Sequence, residues 1–254
     1  MAPDTFASSI YQVALCLSAI AVLRLCIVYL GARLGAILLG TPLIIFPLVA
    51  IQAWNGPEIT ADQTVGSIAS MTAVSCALWL LRLPLPFTPL SVLLTMATAW
   101  FAIISAIYLT ALEAGTLTAI LIANALYVLI RNRHLPPALL QGTGKFTDGA
   151  VPITIFLTTF FLITRLVPDF IRGVLVSFPV GLLATLLFVR RLLPLPAFTN
   201  FVIYTHGAIT AGAVFVVTMH FTVVYMSLIW SLIISLIASV VTSILLGRSW
   251  PART

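Results

Sequence analysis

The stretch AFTNFVIYTHGAITAGAVFVVTMHFTVVYMSLIWSLIISLIASVVTSILLG covers residues 197–247 and contains no Asp, Glu, Lys or Arg. A continuous apolar run of about 20 residues is long enough to cross the hydrocarbon core of a bilayer as a helix. This run is more than twice that long. It therefore predicts two membrane spans, near residues 198–219 and 222–246, with His220 as a weak marker of the turn between them.

The rest of the chain has the same apolar character. Its 254 residues are 61% hydrophobic and only 7% charged, with a mean hydropathy of +1.20, whereas a water-soluble domain carries roughly 25% charged residues. This composition excludes a soluble globule and predicts an all-α integral membrane protein with about nine transmembrane helices. The predicted spans lie near residues 10–32, 34–53, 62–82, 88–111, 115–131, 150–166, 171–190, 198–219 and 222–246.

Two similar segments indicate an internal repeat. Arg33 and Gly35 precede Pro42, and Arg172 and Gly173 precede Pro179, each time at the start of an apolar helix. The two helices are predicted to run in opposite directions, as an inverted repeat requires. We therefore expect two inverted four-helix repeats, residues 1–112 and 150–254. Residues 113–149 join them through a connecting helix and a cytoplasmic loop.

The positions of the basic residues predict the orientation in the membrane. Cytoplasmic loops carry an excess of Lys and Arg, and residues 131–149 form the longest basic loop of the chain. Placing this loop in the cytoplasm puts Arg82 and the C-terminus inside and the N-terminus outside. Arg165 and Arg172 then fall on the outer side, against the rule, which indicates either a role in function or a different number of spans.

Two segments resemble the core of the GlpM-like small membrane proteins of bacteria. They are GAILLGTPLIIFPLVAIQAWNGPEITADQTVGSI (35–68) and RGVLVSFPVGLLATLLFVRRLLPLP (172–196), and each contains a helix with glycine, apolar residues and proline. Members of that family are single units, so the resemblance implies a duplicated form with one unit in each half. The family is connected with envelope polysaccharide production. The resemblance therefore implies a multi-pass protein of the bacterial cytoplasmic membrane.

Interrupted helices and intramembrane arginines are the main candidates for substrate binding. Pro42 and Pro179 remove backbone hydrogen bonds within apolar helices, and such breaks in two matching halves point to a transporter binding site. The simpler alternative is a packing kink. Arg24, Arg165 and Arg172 are candidates for binding an anion, because an arginine within a span is costly and pairs well with carboxylate or phosphate. Snorkelling of the arginine side chains towards the headgroups is the alternative.

A few further polar residues complete the predicted site. Asn200 and His206 share one predicted span and are assigned to substrate binding, and Glu113 and His206 are assigned to proton or cation coupling. A helix-packing role for His206 and an outer-loop position for Glu113 are the alternatives. Asp169 is the expected ion-pair partner of Arg165 and Arg172.

The sequence gives no indication of enzymatic chemistry. It contains no hydrolase, nucleotide-binding or zinc-protease motif, and its cysteines lie singly in apolar runs. We therefore expect no catalytic residue, no metal and no cofactor, and no nucleic-acid partner. The predicted function is a secondary transporter or flippase-like carrier for a small anionic or polar solute of the bacterial envelope. The alternative is a non-transporting membrane subunit of an envelope polysaccharide or lipid biosynthesis assembly. Membrane lipids, the solute, a second copy of the chain or an envelope-biosynthesis protein are the expected partners.

Overall fold

In the computed structural model of the chain, the described residues are 59–83, 88–131, 167–177 and 180–249, with 11, 13–14, 17–18, 20–22, 24–25 and 29. These residues are helical apart from short links, and they contain no strand. The described helices from residue 59 onwards are α1 (Ala61–Leu80), α2 (Pro89–Thr110), α3 (Ala114–Arg131), α4 (Asp169–Val176), α5 (Val180–Leu192), α6 (Leu195–Val223) and α7 (Leu228–Ser249).

Four helices in the described part of the chain are long and apolar enough to cross a membrane: α1, α2, α6 and, over Leu228–Leu245, α7. The apolar part of α3, Ala114–Tyr127, is shorter. The all-helical membrane class is therefore confirmed for these residues. The predicted spans near 34–53 and 150–166 lie outside them, so the nine spans and the inverted repeat stay predictions.

The structure divides the apolar run 197–247 in two, later than the sequence indicated. Helix α6 continues to Val223, past the expected boundary at His220, and a turn closes with a hydrogen bond of 3.0 Å from Tyr225 N to Thr222 O. The exposed side chains of Val224, Tyr225 and Met226 occupy this turn. Without glycine, proline or charge at the boundary, the sequence carried no local signal for its position.

One predicted span is two helices in the structure. Residues 171–190 were expected to form one span interrupted at Pro179, and in the structure α4 ends at Val176 and α5 begins at Val180. At the end of α4, Ser177 N donates to Gly173 O at 3.1 Å. Residues 178 and 179 lie outside the described part of the chain.

Helix α1 lies at the centre and touches α4 backbone to backbone. A Cβ added to Gly66 would lie 2.0 Å from the carbonyl oxygen of Phe170, and one added to Gly173 would lie 1.8 Å from that of Gln63. The hydroxyl of Ser67 donates to Gly173 O at 3.1 Å across the same contact. Only glycine leaves room for two helices at this distance, as at the small-residue contacts common in membrane bundles.

Helix α6 packs antiparallel to both α1 and α7. Thr64 of α1 meets His220 at 2.7 Å and Ser75 meets His206, so the α6 residue number falls as the α1 number rises. On the other side, Thr222 hydrogen-bonds Ser231 of α7. The inner face of α7 carries a serine at every fourth position, all buried: Ser231, Ser235, Ser239 and Ser243.

Candidate functional site

Four polar side chains meet where α1, α3 and α6 come together: Ser75 and Trp79 of α1, Asn124 of α3 and His206 of α6. We call them the polar cluster. His206 Nε2 lies 3.0 Å from Ser75 Oγ and 3.3 Å from Asn124 Nδ2. Asn124 also donates to Ser75 Oγ, and its Oδ1 accepts from Trp79 Nε1 at 2.8 Å. The cluster thus links three helices through side-chain hydrogen bonds.

The local sequence explains why these groups converge. Ser75 and Trp79 are four residues apart on α1, so they lie on one face of that helix. On α6, His206 is followed by Gly207 and Ala208, and all three are buried. Small residues of this kind let helix backbones approach closely enough for side chains to hydrogen-bond across the gap.

Burial makes His206 the most enclosed member of the cluster. Its exposed fraction is 1%, and the Trp79 ring packs edge-on against it with ring centres 5.1 Å apart. Its second ring nitrogen, Nδ1, is buried and has no hydrogen-bond partner among the described residues. The hydroxyl of the neighbouring Thr205 is likewise buried and has no hydrogen-bond partner among the described residues.

A cation lies beside the polar cluster and contacts Trp79. The guanidinium of Arg82, just beyond the end of α1, stacks over the Trp79 ring with its central carbon 4.3 Å from the ring centre. Tyr127 of α3 packs on the same indole at 5.1 Å. Arg82 is one of the arginines that the orientation rule places on the cytoplasmic side.

The structure does not bring Arg24 and Arg172, two of the predicted arginines, together. Arg24 is 5% exposed and stacks on Phe188 of α5 at 5.0 Å. Arg172 is in the first turn of α4 and forms an ion pair of 2.8 Å with Asp169, whose other oxygen accepts from Thr60 at 3.0 Å. The ion pair confirms the expected pairing of Arg172 with Asp169.

The two arginines lie towards opposite ends of the bundle. Asp169 and Thr60 place the start of α4 beside the start of α1. Phe188 is near the end of α5, which leads directly into α6. Since α6 starts at the end of the bundle where α1 finishes, Arg24 and Arg172 do not form the shared anion site expected from the sequence. Their separate roles in binding stay predictions.

The other predicted residues are scattered or lie outside the described part. Asn200 is half-buried near the start of α6, and Glu113 is exposed in the link between α2 and α3, the outer-loop position that was its alternative. Among the predicted site residues that the structure describes, His206 is the one that belongs to the polar cluster. Pro42, Arg165 and Pro179 lie outside the described residues.

Three members of the cluster were not among the predicted site residues. Ser75 belongs to a run of small and polar residues, GSIASMTAVS (66–75), and Asn124 is a single amide in an otherwise apolar helix. Those two features were the available signals. Trp79 carried none, since tryptophan is ordinary near the ends of membrane helices.

A second, smaller polar contact was also missed. Thr64 Oγ1 lies 2.7 Å from Nδ1 of His220. Beside this pair is a cleft too narrow for more than a water-sized molecule, lined mainly by α1 and α6 residues such as Gln63, Ser67 and Phe215. It has no room for a solute.

Comparison with protein-family models, with curated proteins and with solved structures finds no match to this chain. Within the described residues, no group of three or more His, Cys, Asp or Glu side chains is placed to hold a metal ion. The resemblance to the GlpM-like proteins therefore stays a prediction. The function has to be inferred from the polar cluster and the helices around it.

Proposed function

We propose that this chain is a secondary transporter or flippase-like carrier for a small anionic or polar solute of the bacterial envelope. We place it in the bacterial cytoplasmic membrane, with its N-terminus outside and its C-terminus inside. The observation that carries the proposal is the polar cluster at the junction of α1, α3 and α6, with the buried His206 at its centre.

A polar cluster at this depth is unusual without a function. Polar and ionisable side chains inside a membrane are rare, face the interior of the bundle and commonly mark the path of a solute or ion. His206 lies near the middle of a 29-residue apolar helix. Its unpartnered Nδ1 gives the cluster a hydrogen-bonding atom that the described residues do not use.

Two further features favour transport of an anion. Helix α4 ends at Val176, inside the span predicted over residues 171–190, and discontinuous helices in membrane proteins commonly form solute sites. Arg24 adds a buried cation to a helix within the apolar part of the chain. A guanidinium is suited to holding a carboxylate or phosphate oxygen through paired N–H donors.

A stability screen followed by a flux assay tests the proposal. The purified chain is unfolded by heat with organic anions, phosphates, polyols and lipid precursors, and compounds that stabilise it are then offered to liposomes that contain the protein. A compound at 100 times its dissociation constant stabilises by ~2.7 kcal/mol.

Three variants make the screen specific. Arg24→Gln and Asn124→Leu are expected to lose the stabilisation. Arg191→Gln removes an exposed arginine at the end of α5 and is expected to keep it. A screen in which no compound stabilises the protein, with no flux of any compound, contradicts the proposal.

One observation favours the alternative of a non-transporting membrane subunit. Ser75, Trp79 and Asn124 hydrogen-bond one another, as polar side chains do when they only hold helices together. A subunit of this kind predicts no flux and equal thermal stability with every compound. It also predicts that an envelope-biosynthesis protein co-purifies with the chain after cross-linking in native membranes. Changing an exposed residue of α2 or α7 to Arg should abolish this co-purification.

A further inference from the structure

Donors and acceptors in the polar cluster fix the proton of His206. The indole N–H of Trp79 is a donor and never an acceptor. Because Trp79 Nε1 lies 2.8 Å from Asn124, the amide must turn its oxygen towards Trp79. The NH₂ group of Asn124 therefore faces Ser75 and His206.

The amide orientation decides the tautomer of the imidazole. An NH₂ group donates and does not accept, and Nδ2 of Asn124 lies 3.3 Å from Nε2 of His206. Nε2 is thus an acceptor without a proton, and the Ser75 hydroxyl at 3.0 Å faces the same atom. A charged imidazolium would be costly at this depth in the membrane. The neutral ring therefore carries its one proton on Nδ1.

The consequence is a buried donor that has no acceptor among the described residues. Nδ1 has no partner among the described residues, and the ring is 99% buried since its exposed fraction is 1%. A buried donor that lacks an acceptor costs free energy, so native proteins rarely keep one unused. Where such a donor is kept, a buried water, an ion or a bound molecule commonly supplies the acceptor.

We infer that Nδ1–H of His206 is the donor for an acceptor oxygen of the carried solute, a carboxylate or phosphate oxygen. This inference rests on the proposed function and specifies the chemistry of its site. It excludes ammonium groups and metal ions at this atom, because Nδ1–H has no lone pair to offer and Nε2 is already engaged by Asn124 and Ser75. Trp79 takes part as a positioning residue, since it orients the amide that fixes the tautomer.

Nitrogen NMR tests the tautomer directly. The full-length chain is labelled with ¹⁵N-histidine, and His134→Gln and His220→Gln variants assign the His206 signals. We expect a protonated Nδ1 and an unprotonated Nε2. The opposite tautomer, with the proton on Nε2, overturns the inference.

Simple probes test the acceptor. Acetate, succinate and inorganic phosphate are titrated against the labelled protein, with ethylammonium as a cation of similar size to acetate. We expect at least one anion to move the Nδ1 signal and ethylammonium to leave it unchanged. The inference fails if no anion moves the signal and Nδ1–H exchanges magnetisation only with water. The Nδ1–H group then donates to a buried water.

Two substitutions separate the two ring nitrogens. Glutamine places its terminal amide near the position of Nε2, so His206→Gln keeps the contacts with Ser75 and Asn124 and removes the Nδ1 donor. Asparagine places an amide near Nδ1, so His206→Asn does the reverse. His206→Gln should weaken binding of the effective anion between about tenfold and a hundredfold, the range for a hydrogen bond to a charged group.

His206→Asn should lower thermal stability yet retain the response to the anion. Equal loss of the response in both variants would mean that His206 acts only in packing. Flux in liposomes that His206→Gln leaves unchanged would overturn the inference while the carrier proposal stands. An anion-dependent Nδ1 signal without flux would overturn the carrier proposal and leave the binding site in place.

Discussion

The two central helices of this bundle are more deeply buried than the two outer helices, although hydropathy alone would predict the reverse. In α1 and α6, 72% of the most apolar 18-residue window is buried, against 28% in α2 and α7. The buried helices are nonetheless the less apolar pair. Helices that face lipid must be apolar, whereas helices packed on other helices use small and polar residues. Among the described helices, the most hydrophobic ones therefore mark the periphery and not the core.

The largest expected effect is at the glycine contact between α1 and α4. Gly173→Ala places a methyl group 1.8 Å from the Gln63 carbonyl oxygen, where no rotamer change can relieve the clash. Overpacking commonly costs ~1–3 kcal/mol and here should reach the upper end or exceed it. Thermal unfolding in detergent measures the loss.

Gly115, near the start of α3, provides the matched control. A Cβ at Gly115 meets nothing within 4 Å, and alanine is favoured over glycine in a helix by up to ~1 kcal/mol. Gly115→Ala should leave stability unchanged or slightly raised. If the two alanine variants unfold at the same temperature, α4 does not pack on α1 as described.

A smaller effect on stability is expected when a tryptophan of a central helix, Trp79, is changed to phenylalanine, and a still smaller one for Trp230 of an outer helix. Trp79→Phe removes the donor to Asn124 Oδ1 and part of the surface that packs on His206, which should cost about 1–3 kcal/mol. Trp230, on the outer face of α7, is 60% exposed, and its replacement should change stability by less than ~0.5 kcal/mol. Equal costs in thermal unfolding would remove the distinction between central and outer helices at these positions.

The smallest effect concerns how α7 is attached to the core. Ser239 Oγ donates to Ala211 O of α6 at 2.7 Å, and interhelical bonds of this kind contribute ~0.6 kcal/mol on average in membrane proteins. Ser239→Ala should lower stability by about that amount.

Ser235, one turn earlier, is buried without a hydrogen-bond partner among the described residues. Ser235→Ala should be neutral or slightly stabilising, because it removes an unsatisfied hydroxyl. A larger loss from Ser235→Ala than from Ser239→Ala, measured under the same conditions, would contradict this arrangement of α7.

Helices were predictable from this sequence where their ends carry a chemical signal. Thr88 and Ser91 form a capping box at the start of α2, with Pro89 as its first residue, at the expected boundary at residue 88. The end of α6 carries no such signal, and its position was misjudged. An interruption of the span 171–190 was expected from Pro179, and α4 ends at Val176, three residues before that proline.

The polar cluster was predictable only in part, for a geometrical reason. Helical periodicity shows which residues share one face of a helix, but not which other helix lies against that face. His206 could be selected as a polar residue in an apolar run. Its partners Ser75 and Asn124 are 131 and 82 residues away in the chain, so their contact depends on how the helices pack. Trp79 became identifiable only through its bond to Asn124.

The length of α6 has a consequence for the surroundings of its two histidines. At 1.5 Å per residue its 29 residues span about 43 Å, well beyond the ~30 Å of a typical hydrocarbon layer. His206 lies within about 5 Å of the helix midpoint along its axis, while His220 lies about 17 Å from it. With that midpoint at the bilayer centre, one rigid rod holds an imidazole in the dry interior and another at the level of the lipid headgroups. The His220 ring can exchange its proton with bulk water. The His206 ring can exchange a proton only with a molecule that enters the bundle.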